Sequence, residues 1–369
     1  MRAPGFRGSL RLDKMRRPML YRKLLRPLLF RLDPEKAHHL ALGVLRWTMR
    51  LPGLLALTGA VYERRSPRLA RTVFGLEFRN PVGLAAGFDK EARVLPALER
   101  LGFGFLEVGA ISSQGRPGNP RPRIFRLPED RGLINRMGLP NAGAVETARR
   151  LATMRRLRVP LLANIVKTAD LEGDLDAMAA DYLVTLEAVF PHVDGFTVNV
   201  SCPATPELRA FGRRGAMEKL LRALVERRDR LARETSSARK PLILKVSPDI
   251  DDEERDVIVD AAQAGLLDGL VLTNTTTRRP EGLRAGAPVL AERGGLSGAP
   301  LFPIACERVR WFRERLGPEL PIIGVGGIMS AKEARAMLEA GATLIEVYTG
   351  FVYEGPAIVR KILAGLEPR

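Results

Sequence analysis

PIIGVGGIMSAKEARAMLEAGATLIEVYTG, residues 321–350, holds an apolar run ending in glycines, a helix-like stretch, and a second apolar run ending in Tyr348, Thr349 and Gly350. A continuous hydrophobic run, as opposed to an alternating one, marks a strand buried on both faces, as in a parallel sheet covered by helices. The same unit recurs upstream at 80–87, 103–109, 160–165, 195–201, 241–247 and 269–275, before 321–327 and 344–350. Each run is rich in Val, Ile, Leu or small residues and is followed by a helix-like segment. Eight such units predict an α/β fold, a closed (β/α)8 TIM barrel. An open doubly wound sheet is the competing architecture, but the glycine-rich dinucleotide fingerprint is missing after the first strand.

A barrel of this kind uses about 250 residues, and the chain has 369. The reading is therefore a basic tail over 1–18, an N-terminal helical region over 19–65 and a barrel over 66–369. With 46% hydrophobic and 27% charged residues the chain can bury a large core and stay soluble. Its net charge of +17 is uneven: residues 1–60 carry thirteen Lys or Arg against Asp13, Asp33 and Glu35, a net of +10. Such a bias suits an anionic surface. No RNA-reading motif or zinc-finger spacing accompanies it, so lipid is expected and nucleic acid is not.

Leu20, Tyr21, Leu24, Leu25, Leu28 and Leu29 share one helical face between Arg22, Lys23 and Arg26. Asp33 and Pro34 then supply a cap and a first-turn proline, and Ala37, Leu40, Ala41, Val44 and Leu45 continue at helical spacing. Two short amphipathic helices edged by arginines describe an in-plane membrane element; a helix docked on its own domain is the alternative. No uncharged run reaches the ~20 residues needed to span a bilayer. Residues 51–62 come nearest and are interrupted by Pro52, Gly53 and Gly59.

Barrel enzymes place their chemistry at the carboxyl ends of the strands. Those ends read Ala85-Ala86-Gly87, Gly109-Ala110, Asn164, Asn199 with Cys202, Lys245, Thr273-Asn274, Gly326-Gly327 and Tyr348-Thr349-Gly350. Glycines after strands seven and eight suit a phosphate; the amides, hydroxyls and lysine elsewhere suit a polar heterocycle. Cys202 and Cys306 form no CxxC pair, and none of the three histidines falls at a strand end. No metal site is expected, and Cys306 reads as a small buried hydrophobe.

Eight motifs carry a family resemblance: NPVGLAAGFDK (80–90), NPRPRIFRLPED (119–130), LINRMG (133–138), NVSCP (199–203), TNTT (273–276), GGLSG (294–298), PIIGVGGI (321–328) and YTG (348–350). In this order they resemble the dihydroorotate dehydrogenases, from about residue 20 to the C-terminus. The helical extension with DPEKAH (33–38) is similar to the class that reduces membrane quinones. The resemblance implies oxidation of (S)-dihydroorotate to orotate in pyrimidine biosynthesis, with loss of a proton from C5 and transfer of a hydride from C6 to FMN. It implies a peripheral protein on the cytoplasmic face of a bacterial inner membrane, or on the mitochondrial inner membrane in a eukaryote.

By the same resemblance Ala85, Ala86, Gly87, Asn164, Lys245, Thr273, Ser297, Gly298, Gly326, Gly327, Tyr348 and Thr349 would surround FMN. Lys90, Asn135, Asn199, Asn274 and Thr275 would bind the substrate. His38, Arg126 and Tyr348 would lie near the quinone path, and Cys202 would be the base on a closing loop, 202–215. Lys245 as an ordinary salt-bridge lysine and His38 as a solvated residue are the plainer alternatives. Three positions depart from the quinone-using pattern: Cys202 replaces the usual serine, as in the soluble classes, Ala204 replaces a substrate-binding asparagine, and Leu139-Pro140 replaces an aromatic and an asparagine. All three touch the substrate side. They leave open a flavoenzyme of the same fold acting on another heterocycle, or a membrane-attached flavin-binding protein of low turnover.

Overall fold

The computed structural model describes residues 21–169, 171, 174–200 and 214–367. Eight parallel strands close into a barrel: β1 (Val82–Leu84), β2 (Phe105–Ile111), β3 (Leu161–Ile165), β4 (Gly195–Asn199), β5 (Leu242–Val246), β6 (Gly269–Leu272), β7 (Ile322–Val325) and β8 (Leu344–Val347). Each falls inside or overlaps one of the eight apolar runs. Closure comes from β8 pairing with β1 in the register Ile345↔Val82, Glu346↔Gly83 and Val347↔Leu84. That ring excludes the open doubly wound sheet.

Side chains alternate across a strand, so inward positions fall in layers two residues apart. The lower layer is apolar: Phe105, Leu162, Ile243, Val271, Ile323 and Leu344 pack together inside the barrel. A hairpin of Arg71–Val73 and Leu76–Phe78 stops the amino-terminal end with Val73 and Phe78, and Phe78 meets Phe105 edge-on at 5.3 Å. The Phe105 ring lies over Gly83, where a Cβ would collide with it. Two residues along, the same strands turn inward Glu107, Asn164, Lys245, Thr273 and Glu346, all buried. The barrel is thus greasy below and polar at its carboxyl end.

Helices cover the outside, and their starts are chemically marked. Asp174 caps Leu175–Val189 through the amides of Asp176 and Ala177, and Asp251 with Glu254 forms a capping box on Asp252–Gln263. Cys306 is buried in the helix Phe302–Leu316, as a small hydrophobe would be.

Over the barrel mouth lies a three-stranded antiparallel sheet of Ile124–Leu127, Gly132–Asn135 and Gly295–Gly298. Among the described residues the N-terminal region forms three α-helices, where two helices were expected: α1 (Arg26–Arg31), led by a π-helical turn Tyr21–Leu25, α2 (Pro34–Arg50) and α3 (Pro52–Tyr62). Pro52 occupies the first turn of α3, where its missing N–H costs nothing, so the residues that break a membrane span do not break this helix. The Asp33 side chain accepts from the amides of Glu35 and Lys36 at 3.1 and 3.0 Å, starting α2 as expected. Among the described residues no single helix is long and apolar enough to cross a membrane; α2 and α3 meet at a bend of 115°. Glu35 fastens α2 to Arg121 and Arg123 of the barrel, while Leu24, Leu28, Leu40, Val44, Trp47 and Leu57 are exposed. The layer is therefore docked on its own domain by one face and presents a second apolar face outward.

Candidate active site

A cavity of about 1300 Å³ runs from the strand ends to the helical layer. Its floor is polar, with Asn164, Lys245, Thr273 and Glu346; its far wall is apolar, with Leu28, Leu29, Ala41, Leu45 and Tyr62 of the N-terminal region.

The floor is organised by Glu107. Its carboxylate accepts from the Ala86 amide at 2.9 Å, from Asn164 Nδ2 at 2.8 Å and from Lys245 Nζ at 3.2 Å. Burial would raise the Glu107 pKa, but Lys245 and these donors outweigh it and hold the group below the usual carboxylate range. Burial likewise opposes the Lys245 charge, and Glu107 more than restores it, so Lys245 is a firm ammonium. The salt-bridge alternative for Lys245 is thus real geometry, yet the same side chain also lines the cavity. Asn199 Nδ2 extends the network to Asn164 Oδ1 at 3.2 Å. Thr273 Oγ1 is buried without a partner among the described residues.

One side of the cavity is made of backbone. Gly298, Gly326, Gly327, Thr349 and Ser297 line it, and Ser297 Oγ lies 2.8 Å from Thr349 Oγ1. Gly298 has φ +94, and a Cβ there would collide with the Arg131 carbonyl and press on Thr349. Only glycine allows the mouth sheet and the β8 end to meet there. Tyr348 closes the β8 side, its hydroxyl donating to the Gly87 carbonyl at 3.3 Å, and burial pushes its phenol up to about 12.

Above the floor stand Lys90, Asn135, Asn274 and Thr275, all lining the cavity. Lys90 Nζ donates to the Gly87 carbonyl at 2.8 Å; burial, then the Arg123 charge, lowers its pKa to about 8. Asn135 Nδ2 donates to the Gly295 carbonyl at 3.4 Å, and the Thr275 amide to Asn274 Oδ1 at 2.8 Å. Leu139 and Pro140 border the same space, with Leu139 at φ +55. Of the expected loop 202–215, residues 202–213, with Cys202 and Ala204, lie outside the described residues, as do residues 1–20; its last two positions begin the helix Arg214–Glu234.

Toward the apolar wall, His38 packs edge-on against Phe88 at 4.9 Å, and burial followed by the Lys90 charge lowers its pKa to about 3. It is a neutral imidazole facing the cavity, not a solvated one. Arg126 lies over Phe30 at 4.7 Å and donates to the Leu32 carbonyl at 2.6 Å, tying the α1–α2 turn to the mouth sheet. Every described residue expected at the site borders this one cavity. Glu107 and Glu346 were not expected; the signal is a carboxylate two residues into a strand that is otherwise apolar on both faces.

The family model for dihydroorotate dehydrogenase matches residues 68–369. The chain is 44% identical to the dihydroorotate dehydrogenase (quinone) of Acidithiobacillus ferrooxidans, over 93% of both chains. It is 45% identical to that of Paraburkholderia phymatum, over 94% of this chain and 97% of the relative. Among solved structures it is similar to Eimeria tenella DHODH in complex with ferulenol, with a TM-score of 0.81, 34% identity and 90% of each chain covered.

Proposed function

The chain belongs to the quinone-using dihydroorotate dehydrogenases, and on that footing we propose which of its residues carry the reaction. The protein oxidises (S)-dihydroorotate to orotate in pyrimidine biosynthesis, with FMN as cofactor and a quinone as final acceptor. The observation that supports the assignment of roles is the single cavity, polar at the strand ends and apolar at the helical layer.

The lining fits FMN. The glycine wall accepts an approach that any side chain would block, and the Thr273 hydroxyl is buried without a partner. Ser297, Gly298, Gly326, Gly327, Tyr348 and Thr349 would hold the phosphate end, and Ala85, Ala86, Gly87, Asn164, Lys245 and Thr273 the ring. FMN when bound supplies the two-electron acceptor. The Lys245 ammonium, buried at the cavity floor, would supply positive charge to a bound flavin ring during its reduction. Lys90 binds the substrate carboxylate. Asn135, Asn199, Asn274 and Thr275 offer both donors and acceptors to the ring amides, as a pyrimidine edge requires. Cys202 Sγ takes the proton from C5; a thiol with an ordinary pKa of about 8.5 ionises far more readily than a serine hydroxyl.

His38, Arg126 and Tyr348 border the route from the polar floor to the apolar opening, where a quinone would enter. The outward apolar face of α1–α3, together with the basic charge of the first sixty residues, attaches the protein peripherally to an anionic membrane on its cytoplasmic side. Steady-state oxidation of dihydroorotate with a short-chain quinone, fumarate or NAD as acceptor tests these roles. Turnover with the quinone alone supports them; turnover with fumarate or NAD at an equal rate removes the quinone route.

A further inference from the structure

Glu346 follows the inward-facing Leu344 by two residues on β8, so it points into the barrel at the level of Lys245 and Thr273. It is 1% exposed, no amide, hydroxyl or ammonium donor among the described residues reaches either carboxyl oxygen, and its one close polar neighbour, the Glu107 carboxylate, already accepts three hydrogen bonds. The same side chain lines the cavity floor. Three donors of that floor serve Glu107 and not Glu346: the Ala86 amide, Asn164 Nδ2 and Lys245 Nζ. An ionised Glu346 would put a second carboxylate into a dry layer with one ammonium and leave it an acceptor without donors. A protonated Glu346 removes the excess charge and adds a neutral donor to the floor. Burial, followed by repulsion from Glu107, pushes its pKa well above the usual carboxylate range, in keeping with that geometry.

We propose that Glu346 is a further FMN-binding residue, a neutral carboxylic acid whose O–H donates to a ring carbonyl of the flavin lying on the cavity floor. Lys245 and Glu107 then remain a charge-balanced pair beside it. A buried carboxylic acid kept neutral so that it can donate is a known device of enzyme sites. The inference rests on the placement of FMN given under Proposed function.

Infrared difference spectra of the FMN-loaded enzyme and its Glu346→Gln variant test the protonation state. The wild type should show a protonated-carboxyl C=O band that the variant loses. Glutamine, also neutral and a donor, should keep FMN within about threefold of wild-type affinity, whereas Glu346→Met should lose about tenfold or more, as for one buried hydrogen bond. An FMN-replete wild type whose band is missing, or is unchanged in Glu346→Gln, overturns the proposal, as does a folded Glu346→Met protein with wild-type affinity. Should Glu346→Met not fold, FMN labelled with ¹³C at its ring carbonyls decides the matter in Glu346→Gln. Shifted carbonyl bands support the contact and unmoved bands refute it. A wild type that takes up no FMN would instead overturn the placement of the flavin, and this contact with it.

Discussion

Glu35→Gln removes the charge that fastens α2 to the barrel mouth. Glu35 is 7% exposed and accepts four hydrogen bonds, from Arg121 at 2.9 and 3.0 Å and from Arg123 at 3.1 and 2.7 Å. The Arg123 hydrogen bond, with help from Arg121, outweighs burial and lowers the carboxyl pKa from the usual 4.5 to about 2. A drop of that size corresponds to roughly 3 kcal/mol, and water in the adjoining cavity screens it to about 2 kcal/mol. The pKa is depressed in the folded state, so the stabilisation is present above pH 4.5 and lost as pH falls through about 2. Glutamine removes it at every pH and leaves buried Arg123 without its anion. At neutral pH, hydrogen exchange of the α2 amides should accelerate about thirtyfold, with the barrel amides unchanged. The Lys90 pKa should also fall below its value of about 8, because Glu35 is among the groups that raise it. Unchanged α2 exchange at neutral pH would refute the clamp. So would a difference between variant and wild type that does not shrink on acidification.

Four further outcomes are expected. Gly298→Ala should weaken FMN retention by about tenfold or more, since the added methyl meets the Arg131 carbonyl; wild-type flavin content after gel filtration would count against the glycine wall. Lys90→Met should raise the KM for dihydroorotate by about tenfold or more while keeping FMN, and binding of the product orotate to the wild type should weaken as pH rises through about 8, where free Lys90 loses its proton. Deleting residues 1–60 should leave FMN bound but weaken quinone turnover and binding to anionic vesicles; equal vesicle binding by the truncated protein would make the helices purely structural. Cys202→Ala should retain FMN yet slow flavin reduction severely, and Cys202→Ser should keep some activity with its pH dependence displaced upward; wild-type reduction in Cys202→Ala would remove the thiol as base.

The barrel was legible because its strands are buried on both faces and so appear as unbroken apolar runs. The mouth sheet was not: its Gly132 pairs with Gly298, far apart in the chain, through strands too short for a periodic signal. Helix α3 hid behind Pro52, Gly53 and Gly59, which read as breaks although the first is a good helix start. The residues at strand ends could be placed because those ends converge in a closed barrel whatever the loops do; Lys90, Asn135, Ser297, Gly298, His38 and Arg126 were placed by the family resemblance alone. The pairing of Glu107 with Lys245 and the isolation of Glu346 depend on cross-barrel distance, which no local pattern encodes.

The most direct test of a single cavity joining substrate, FMN and quinone is a pair of half-reactions followed by flavin absorbance in an anaerobic stopped-flow instrument. Dihydroorotate should bleach the flavin, and a short-chain quinone should restore the colour at a rate able to support turnover, while fumarate and NAD do so far more slowly. A flavin that dihydroorotate does not bleach, or that fumarate reoxidises as fast as the quinone does, would contradict it.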